Sequence, residues 1–210
     1  MSKIYIFDMD GTLIDSMSYY LNGILSILDE ENISHDNETA NKVTVLGYTG
    51  SAKFFTEIGV KGTVDEIYSR IEHRLLPDYA NNIKLKDGVA EYLTKLKSNG
   101  ARLFILTGSP HSAVNACLKS NGIFDCFEKI WSVEDFKLSK SDKLLYSTVA
   151  DIIGCKNEEI TFFDDNVLAI KTAKTAGYYT YGVLDRQSAE DIIEIKKSAN
   201  KFIQSFLELI

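Results

Sequence analysis

The chain has 210 residues, and 23 Lys and Arg against 30 Asp and Glu give it a formal net charge of −7. This negative balance argues against a protein whose main role is to coat nucleic acid or to bind an anionic membrane, since both depend on positive charge. With 45% hydrophobic and 25% charged residues, the composition is that of a globular protein rather than a disordered chain. We therefore expect one large domain, or one domain that carries a smaller insertion.

The N-terminal sequence and the cysteines favour a cytoplasmic protein. The apolar run 4–7 is shorter than a secretory signal or a membrane span requires, and no later run reaches spanning length. Cys117, Cys126 and Cys155 are odd in number and show neither Cys-x-x-Cys nor Cys/His ligand spacing. We therefore expect buried or free thiols, a cytoplasmic location and no membrane partner.

The first predicted element is a strand at 3–8, and a long helical segment follows it. Residues 15–80 contain no convincing strand but several helical patterns, such as Ile67, Ile71 and Leu75 on one face of a helix. We interpret this segment as a small all-helical domain inserted after the first strand.

Beyond the insertion, strands and helices alternate. Short runs of β-branched and aromatic residues predict strands at 102–107, 159–164 and 178–183. Helical patterns lie at 87–100, 109–122, 141–153 and 166–176. This alternation predicts an α/β fold, a doubly wound parallel sheet with helices on both faces. The predicted domains are a core at 1–14 and 81–210 and a helical domain at 15–80.

Two of these helices carry more detailed expectations. Asp87 is the expected N-cap for the helix at 87–100. In the helix at 141–153, the residues Leu144, Leu145 and Ile152 belong to one continuous apolar stripe.

Polar residues follow several of the predicted strands directly. Asp8, Thr107 and the pair Asp164-Asp165 stand where apolar runs end, and the carboxyl ends of parallel strands meet at one edge of a sheet, where ligands bind. Asp10 adds a second carboxylate two residues after Asp8. Converging carboxylates repel one another unless a hard cation lies between them, and Mg²⁺ fits best. With one lysine and one hydroxyl group added, such a site suits a transferring phosphoryl group.

Four motifs in chain order resemble those of the haloacid dehalogenase superfamily. FDMDGTLIDS at 7–16 resembles the first motif, and LTGS at 106–109 resembles the second. The third is a lysine that opens a helix, matched by Lys140 with Tyr146 at the aromatic place, and the acidic pair in FFDDN at 162–166 matches the fourth. The resemblance covers the whole core and implies a Rossmann-like core domain, with the insertion as the family's helical cap.

The resemblance also implies a mechanism and a metal site. Asp8 would attack phosphorus to form an aspartyl-phosphate, while Asp10 would protonate the leaving oxygen and later deprotonate the attacking water. Mg²⁺ would be held by Asp8, the backbone carbonyl of Asp10 and Asp165. Asp164 would complete or orient the metal shell.

The resemblance also implies which residues bind the phosphoryl oxygens. The hydroxyl of Thr107, the backbone N–H of Gly108 and the ammonium group of Lys140 would hold them. Lys137 and Lys143 are alternatives, but the register with the aromatic residue of the third motif favours Lys140.

The sequence departs from the usual motifs at two places. Ser141 replaces the usual proline after the motif lysine, and as the expected N-cap it still allows a helix to begin there. Ala169 stands where many members carry a further aspartate, so Asp164 and Asp165 are the only acids of the fourth motif.

The resulting prediction is a Mg²⁺-dependent phosphoric monoester hydrolase, acting on a small phosphorylated metabolite. The same motifs are compatible with a sugar phosphomutase of the superfamily and with a non-catalytic regulator that binds a phosphate ligand. The dehalogenase branch is disfavoured because its members lack the second aspartate, which Asp10 supplies here. The motifs fit a monomer and a homodimer alike.

Overall fold

The computed structural model describes residues 3–185 and 191–210, and a six-stranded parallel sheet forms its framework. The strand order is β3-β2-β1-β4-β5-β6, and every neighbouring pair is parallel. The strands are β1 (Ile4–Phe7), β2 (Arg102–Thr107), β3 (Lys129–Ser132), β4 (Ile160–Asp164), β5 (Tyr179–Val183) and β6 (Lys201–Ile203).

Eight α-helices lie in the described part of the chain. They are α1 (Met17–Glu30), α2 (Asn37–Glu57), α3 (Val64–Asn81), α4 (Val89–Ser98), α5 (His111–Ser120), α6 (Lys143–Ile153), α7 (Val167–Thr175) and α8 (Ile192–Ser198). Helix α2 is kinked at Gly47, whose φ of 62° and ψ of −166° are not helical. A left-handed φ is accessible to glycine because it has no Cβ.

The central strands are buried on both faces, as their continuous apolar sequences require. Side chains alternate along a strand, so neighbouring residues point to opposite faces. Ile6 and Phe162 belong to a buried cluster with residues of α6 and α7 on one face. On the other face, Phe7 and Phe163 stack with their ring centroids 4.9 Å apart, and both contact Tyr92 of α4. The predicted doubly wound parallel α/β fold is therefore confirmed.

Two strands were not predicted, and they form the two edges of the sheet. β3 has four residues and β6 has three, and each contains a lysine. Runs this short do not establish an alternating pattern on their own. Their place in the sheet depends on pairing with β2 and β5, the strands that precede them in the chain.

The predicted helix starts need two corrections. Asp142, not Ser141, is the N-cap of α6, because its side chain accepts a hydrogen bond from the backbone N–H of Leu144. The N-cap of α4 is Gly88, in a left-handed conformation with φ of 81°, rather than Asp87. The chain enters α4 through a turn that favours glycine, so no side-chain cap forms there.

Internal contacts divide the chain into two compact units. One contains the sheet and comprises Met1–Asp15, Lys84–Gly108 and Asn121–Ile210, and the other is helical and comprises Ser16–Ile83 and Ser109–Ser120. Residues 109–120, which the prediction assigned to the core, thus group with the helical unit. Within that unit, the Ser112 hydroxyl on α5 donates a hydrogen bond to the Glu72 carboxylate on α3. The functional division into core and cap stays a prediction.

Adjacent leucines on α6 provide a test of how the core is packed. Leu145 is fully buried, whereas Leu144 is 59% exposed although both belong to the apolar stripe. We expect Leu145→Ala to lower the free energy of unfolding by about 2–5 kcal/mol, because it leaves a cavity. Leu144→Ala is the matched control, and its effect should stay within about 0.5 kcal/mol. Denaturant unfolding measures both, and equal losses would contradict this packing.

Candidate active site

The register of the sheet brings the predicted acidic residues together. Phe7 of β1 is the partner of Phe163 in β4, so Asp8 and Asp164 follow at the same level of two neighbouring strands. The backbone N–H of Asp8 donates to the carbonyl of Phe163 at 2.8 Å, which extends the pairing to the site. One carboxylate oxygen from each of Asp8, Asp164 and Asp165 lies within 4.8 Å of the others. Three hard oxygen donors at this spacing fit a divalent cation such as Mg²⁺.

Lys140 faces these carboxylates directly. Its Nζ donates a hydrogen bond to Asp8 Oδ1 and another, of 2.8 Å, to Asp164 Oδ2. Asp164 Oδ1 also accepts the backbone N–H of Asn166 at 2.8 Å. Both oxygens of Asp164 are thus engaged by the chain itself, which fixes the lysine beside Asp8.

The position of Lys140 is set by the helix that follows it. The Tyr146 hydroxyl on α6 donates to the carbonyl of Lys140 at 2.9 Å and is also within 3.2 Å of the carbonyl of Ala169. Lys137 and Lys143, the two alternatives, are exposed. The structure therefore brings Lys140, the expected lysine, into contact with Asp8.

Burial shifts the protonation of the site. Desolvation is the largest influence on Asp8, and despite the neighbouring Lys140 it raises the pKa of this carboxyl from 3.8 to about 7. Burial and the charges of Asp164 and Asp8 likewise raise the pKa of Asp165 well above its usual value. Burial alone would lower the pKa of Lys140, but the attraction of Asp164 and Asp8 outweighs it and raises that pKa. Keeping Asp8 ionised at pH 7 requires further positive charge here, of the kind that a divalent cation in the carboxylate cluster would supply.

A tight loop after β1 carries Asp10. The carbonyl of Met9 accepts the backbone N–H groups of Leu13 and Ile14 at 2.9 and 3.1 Å, and Gly11 has a φ of 76°. Asp10 is partly exposed, and its charge contributes to the raised pKa of Asp8. The carboxylate of Asp10 thus lies near the cluster without being one of its three central oxygen donors.

The residues predicted to bind the phosphoryl group lie at the end of β2. Thr107 is the last residue of that strand and is buried. Gly108 follows it, and a Cβ placed on Gly108 would meet no atom within 4 Å. The Cα of Gly108, whose backbone N–H is predicted to bind a phosphoryl oxygen, therefore faces open space on the side that a Cβ would occupy.

The sequence reasoning missed three polar residues of the site region. The Thr12 hydroxyl donates to Asp165 Oδ1 at 2.8 Å. Thr12 lies within the first motif, but no role was assigned to it from the sequence. Lys86 donates to Asp185 Oδ2 at 2.8 Å. Asp185 follows β5, so the strand-end pattern used for Asp8 would have indicated it, but the sequence around Lys86 carries no such signal.

A family model of haloacid dehalogenase-like hydrolases matches residues 5–183, most of the chain. The matched range includes the three carboxylates of the cluster, Asp8, Asp164 and Asp165, and also Lys140. The chain belongs to this family. The predicted superfamily is therefore confirmed, and with it the prediction of a hydrolase.

Two phosphatases and one solved structure are similar to this chain over most of its length. The pyrophosphatase PpaX of Bacillus velezensis is 28% identical over 85% of this chain and 81% of the relative. A phosphoglycolate phosphatase of Rhodospirillum rubrum is 25% identical over 84% of this chain and 77% of its own length. The crystal structure of CbbY from Rhodobacter sphaeroides in complex with phosphate covers all of this chain and 96% of that one, with a TM-score of 0.86 at 18% identity.

These relatives bear on the class of enzyme. Phosphoglycolate is a phosphoric monoester, so the name of the second relative supports the predicted class of phosphoric monoester hydrolase, whereas a pyrophosphatase cleaves a phosphoanhydride. CbbY shares the fold. Among the helices that the structure describes, none combines the length and apolar character needed to cross a membrane.

The raised pKa values predict how the metal-free hydrolase responds to pH. An acid that binds its proton more tightly in the folded state makes folding less favourable as the pH rises between its unfolded and folded pKa values. For Asp8 this interval runs from 3.8 to about 7. With a chelator present, we expect stability to fall across this interval.

Two comparisons check this expectation by thermal unfolding. Mg²⁺ should raise the midpoint more at pH 8 than at pH 5.5, because at pH 5.5 protons compete with the cation. Asp8→Asn should flatten the decline with pH, since the substituted side chain does not titrate. A wild-type stability that rises steadily from pH 4 to 7 in chelator would contradict the assignment.

Proposed function

We propose that the protein is a Mg²⁺-dependent phosphatase that hydrolyses a small phosphorylated metabolite in the cytoplasm. The observation that carries the proposal is the group of three buried carboxylates, Asp8, Asp164 and Asp165, with Lys140 bound to two of them. A cation and a lysine beside one carboxylate fit an anionic substrate that this carboxylate attacks.

The proposed metal ligands are Asp8, Asp165 and the backbone carbonyl of Asp10, with Asp164 completing or orienting the set. Thr12 supports this arrangement because its hydroxyl fixes one oxygen of Asp165. Bound Mg²⁺ would supply positive charge that keeps Asp8 ionised and screens its repulsion of an incoming phosphate. A hydroxyl that hydrogen-bonds to a ligand carboxylate, as Thr12 does, orients the ligand and tunes its charge.

The proposed reaction has two chemical steps. In the first, a carboxylate oxygen of Asp8 forms a bond to phosphorus as the bond to the leaving oxygen breaks, and Asp10 donates a proton to that oxygen. In the second, Asp10 takes a proton from water as the water attacks phosphorus, which frees the carboxylate of Asp8 and releases inorganic phosphate. The position of Asp10 on a partly exposed loop next to Asp8 suits proton exchange with both the leaving group and water.

Three further groups would bind the phosphoryl oxygens. Thr107 offers its hydroxyl, Gly108 its backbone N–H, and Lys140 its ammonium group. Lys140 already lies against Asp8, so a phosphoryl group transferred to that carboxylate would remain within reach of the lysine. These donors would stabilise negative charge as it develops in the transition state.

Small phosphorylated compounds are the favoured substrates, by analogy with the similar pyrophosphatase and phosphoglycolate phosphatase. We further propose that the helical segment 15–80 is the family's cap and selects the leaving group. Residues that select a substrate would then lie outside the four motifs.

The Asp8 nucleophile can be tested with an activated aryl phosphate. Phosphate release should require Mg²⁺, stop with chelator and fall below detection in Asp8→Asn, because no carboxylate remains to attack phosphorus. Asp151→Asn is the matched control, since Asp151 is exposed on α6 and should leave the rate unchanged. Activity that survives both the chelator and Asp8→Asn would contradict the proposal.

Asp10 should have a different signature from Asp8. We expect Asp10→Asn to slow hydrolysis of an alkyl phosphate by about 10²–10⁴-fold, as for loss of a general acid and base. With an activated aryl phosphate, whose leaving oxygen needs little protonation, phosphate bound to the protein should accumulate and be released by hydroxylamine. The absence of any acid-stable, hydroxylamine-sensitive phosphate in this variant would argue against the aspartyl-phosphate.

A substrate panel with Mg²⁺ would identify the natural class of ester. It should include sugar phosphates, nucleotides, phosphoglycolate and pyrophosphate, with kcat/KM as the readout. Isomerisation of a hexose phosphate with a bisphosphate primer is scored in the same assays. Isomerisation in place of phosphate release would replace the phosphatase proposal with a phosphomutase.

A further inference from the structure

Lys86 forms a partly buried junction next to the loop that carries Asp10. Its Nζ donates to the carbonyl of Gly11, to the carbonyl of Leu184 at 2.8 Å and to Asp185 Oδ2 at 2.8 Å. Three acceptors match the three protons of an ammonium group. The side chain of Lys86 is 16% exposed and that of Asp185 is 3% exposed, so the ion pair is shielded from water.

The backbone around Lys86 is attached to the same loop. The N–H of Lys86 donates to the carbonyl of Leu13 at 2.9 Å, and the N–H of Asp15 donates to the carbonyl of Lys84 at 3.0 Å. Lys86 therefore contacts the loop 9–14 at two carbonyls, one through its backbone and one through its side chain. These two contacts lie on either side of Thr12.

The loop residues held in this way lie against the acidic cluster. A Cβ on Gly11 would be only 2.5 Å from Asp165 Oδ2, so the glycine backbone packs directly against this carboxylate. Thr12 donates to the other oxygen of Asp165. Any displacement of Gly11 therefore moves the neighbouring Asp10 and disturbs the contacts of Asp165.

The positive charge of Lys86 compensates the negative charge of Asp185, which an uncharged residue at position 86 would not do. Asp185 is buried close enough to Asp165 for their charges to interact, and without Lys86 its carboxylate would lose an ammonium partner while remaining beside other anions. Leaving one member of a buried ion pair alone is far more costly than removing both.

We propose that Lys86, paired with Asp185, is a positioning residue for the reaction that holds loop 9–14 so that Asp10 points its carboxyl at the leaving group. This inference rests on the proposed phosphatase function. It adds a second lysine to the site, one that acts through the loop and does not contact the substrate. A displacement of about 1 Å at a catalytic group costs on the order of 10²-fold in rate.

The leaving group distinguishes positioning of Asp10 from a general loss of folded enzyme. In Lys86→Met, the single-turnover rate at which an alkyl phosphate phosphorylates Asp8 should fall by about 10²-fold, whereas the same rate with an activated aryl phosphate should fall by less than about threefold. Asp185→Asn, which keeps the size of the side chain, should show the same pattern more weakly, because Lys86 retains its two carbonyl acceptors. A structural defect would reduce both rates by one common factor.

Arg102→Met is the matched control. Arg102 pairs with Glu128 at the other end of the strands, far along β2 from Thr107, so its loss should leave the ratio of the two rates unchanged. Hydrogen exchange in chelator gives a readout that needs no activity. In Lys86→Met and Asp185→Asn, the amides of Leu13, Ile14 and Asp15 should exchange at least about tenfold faster, while those of β1 should not change.

The outcomes separate the two proposals. Equal loss on both esters, together with unchanged exchange in loop 9–14, would overturn the positioning role. If the wild type hydrolyses neither ester, the phosphatase proposal fails and with it the catalytic part of this inference, while the exchange rates decide whether Lys86 holds the loop. Should Lys86→Met not fold, Asp185→Asn carries the same comparison.

Discussion

Repulsion between buried carboxylates is the constraint around which the site is arranged. Asp8, Asp164 and Asp165 come from the ends of two neighbouring strands, and their oxygens lie within 4.8 Å of one another. Removing such charges from water costs several kcal/mol each unless opposite charge compensates them. Lys140 supplies one positive charge, and burial still raises the pKa values of Asp8 and Asp165. The proposed divalent cation would supply the further positive charge that keeps both carboxylates ionised.

The rest of the sheet-containing unit fixes this unfavourable arrangement in place. Stacked rings of Phe7 and Phe163 hold β1 and β4 in register directly beneath the two strand ends. Tyr146 fixes the backbone of Lys140, and Thr12 fixes Asp165. The favourable free energy of apolar burial in the sheet thus offsets the electrostatic cost at its edge, a common compromise at functional sites.

The sequence predicted those features that depend on local pattern. Strands β1, β2, β4 and β5 are runs rich in β-branched and aromatic residues, and the strand-end rule placed Asp8 and Asp164 at one edge before their register was known. The sequence pattern did not predict β3 and β6, because three or four residues form no recognisable alternation. It also did not indicate that Leu145 is buried and Leu144 exposed. Lys86 was also missed because its partners lie 75 and 99 residues away and only the fold brings them together.

Calorimetric titration of the metal-free protein with Mg²⁺ at pH 7, in two buffers of different ionisation enthalpy, tests the central claim most directly. If the carboxylate cluster is a cation site that holds protons in the absence of metal, one Mg²⁺ binds per chain and protons are released to the buffer. Asp165→Asn should then weaken the binding. Absence of saturable binding, or binding that releases no protons and is unchanged in Asp165→Asn, would contradict the account.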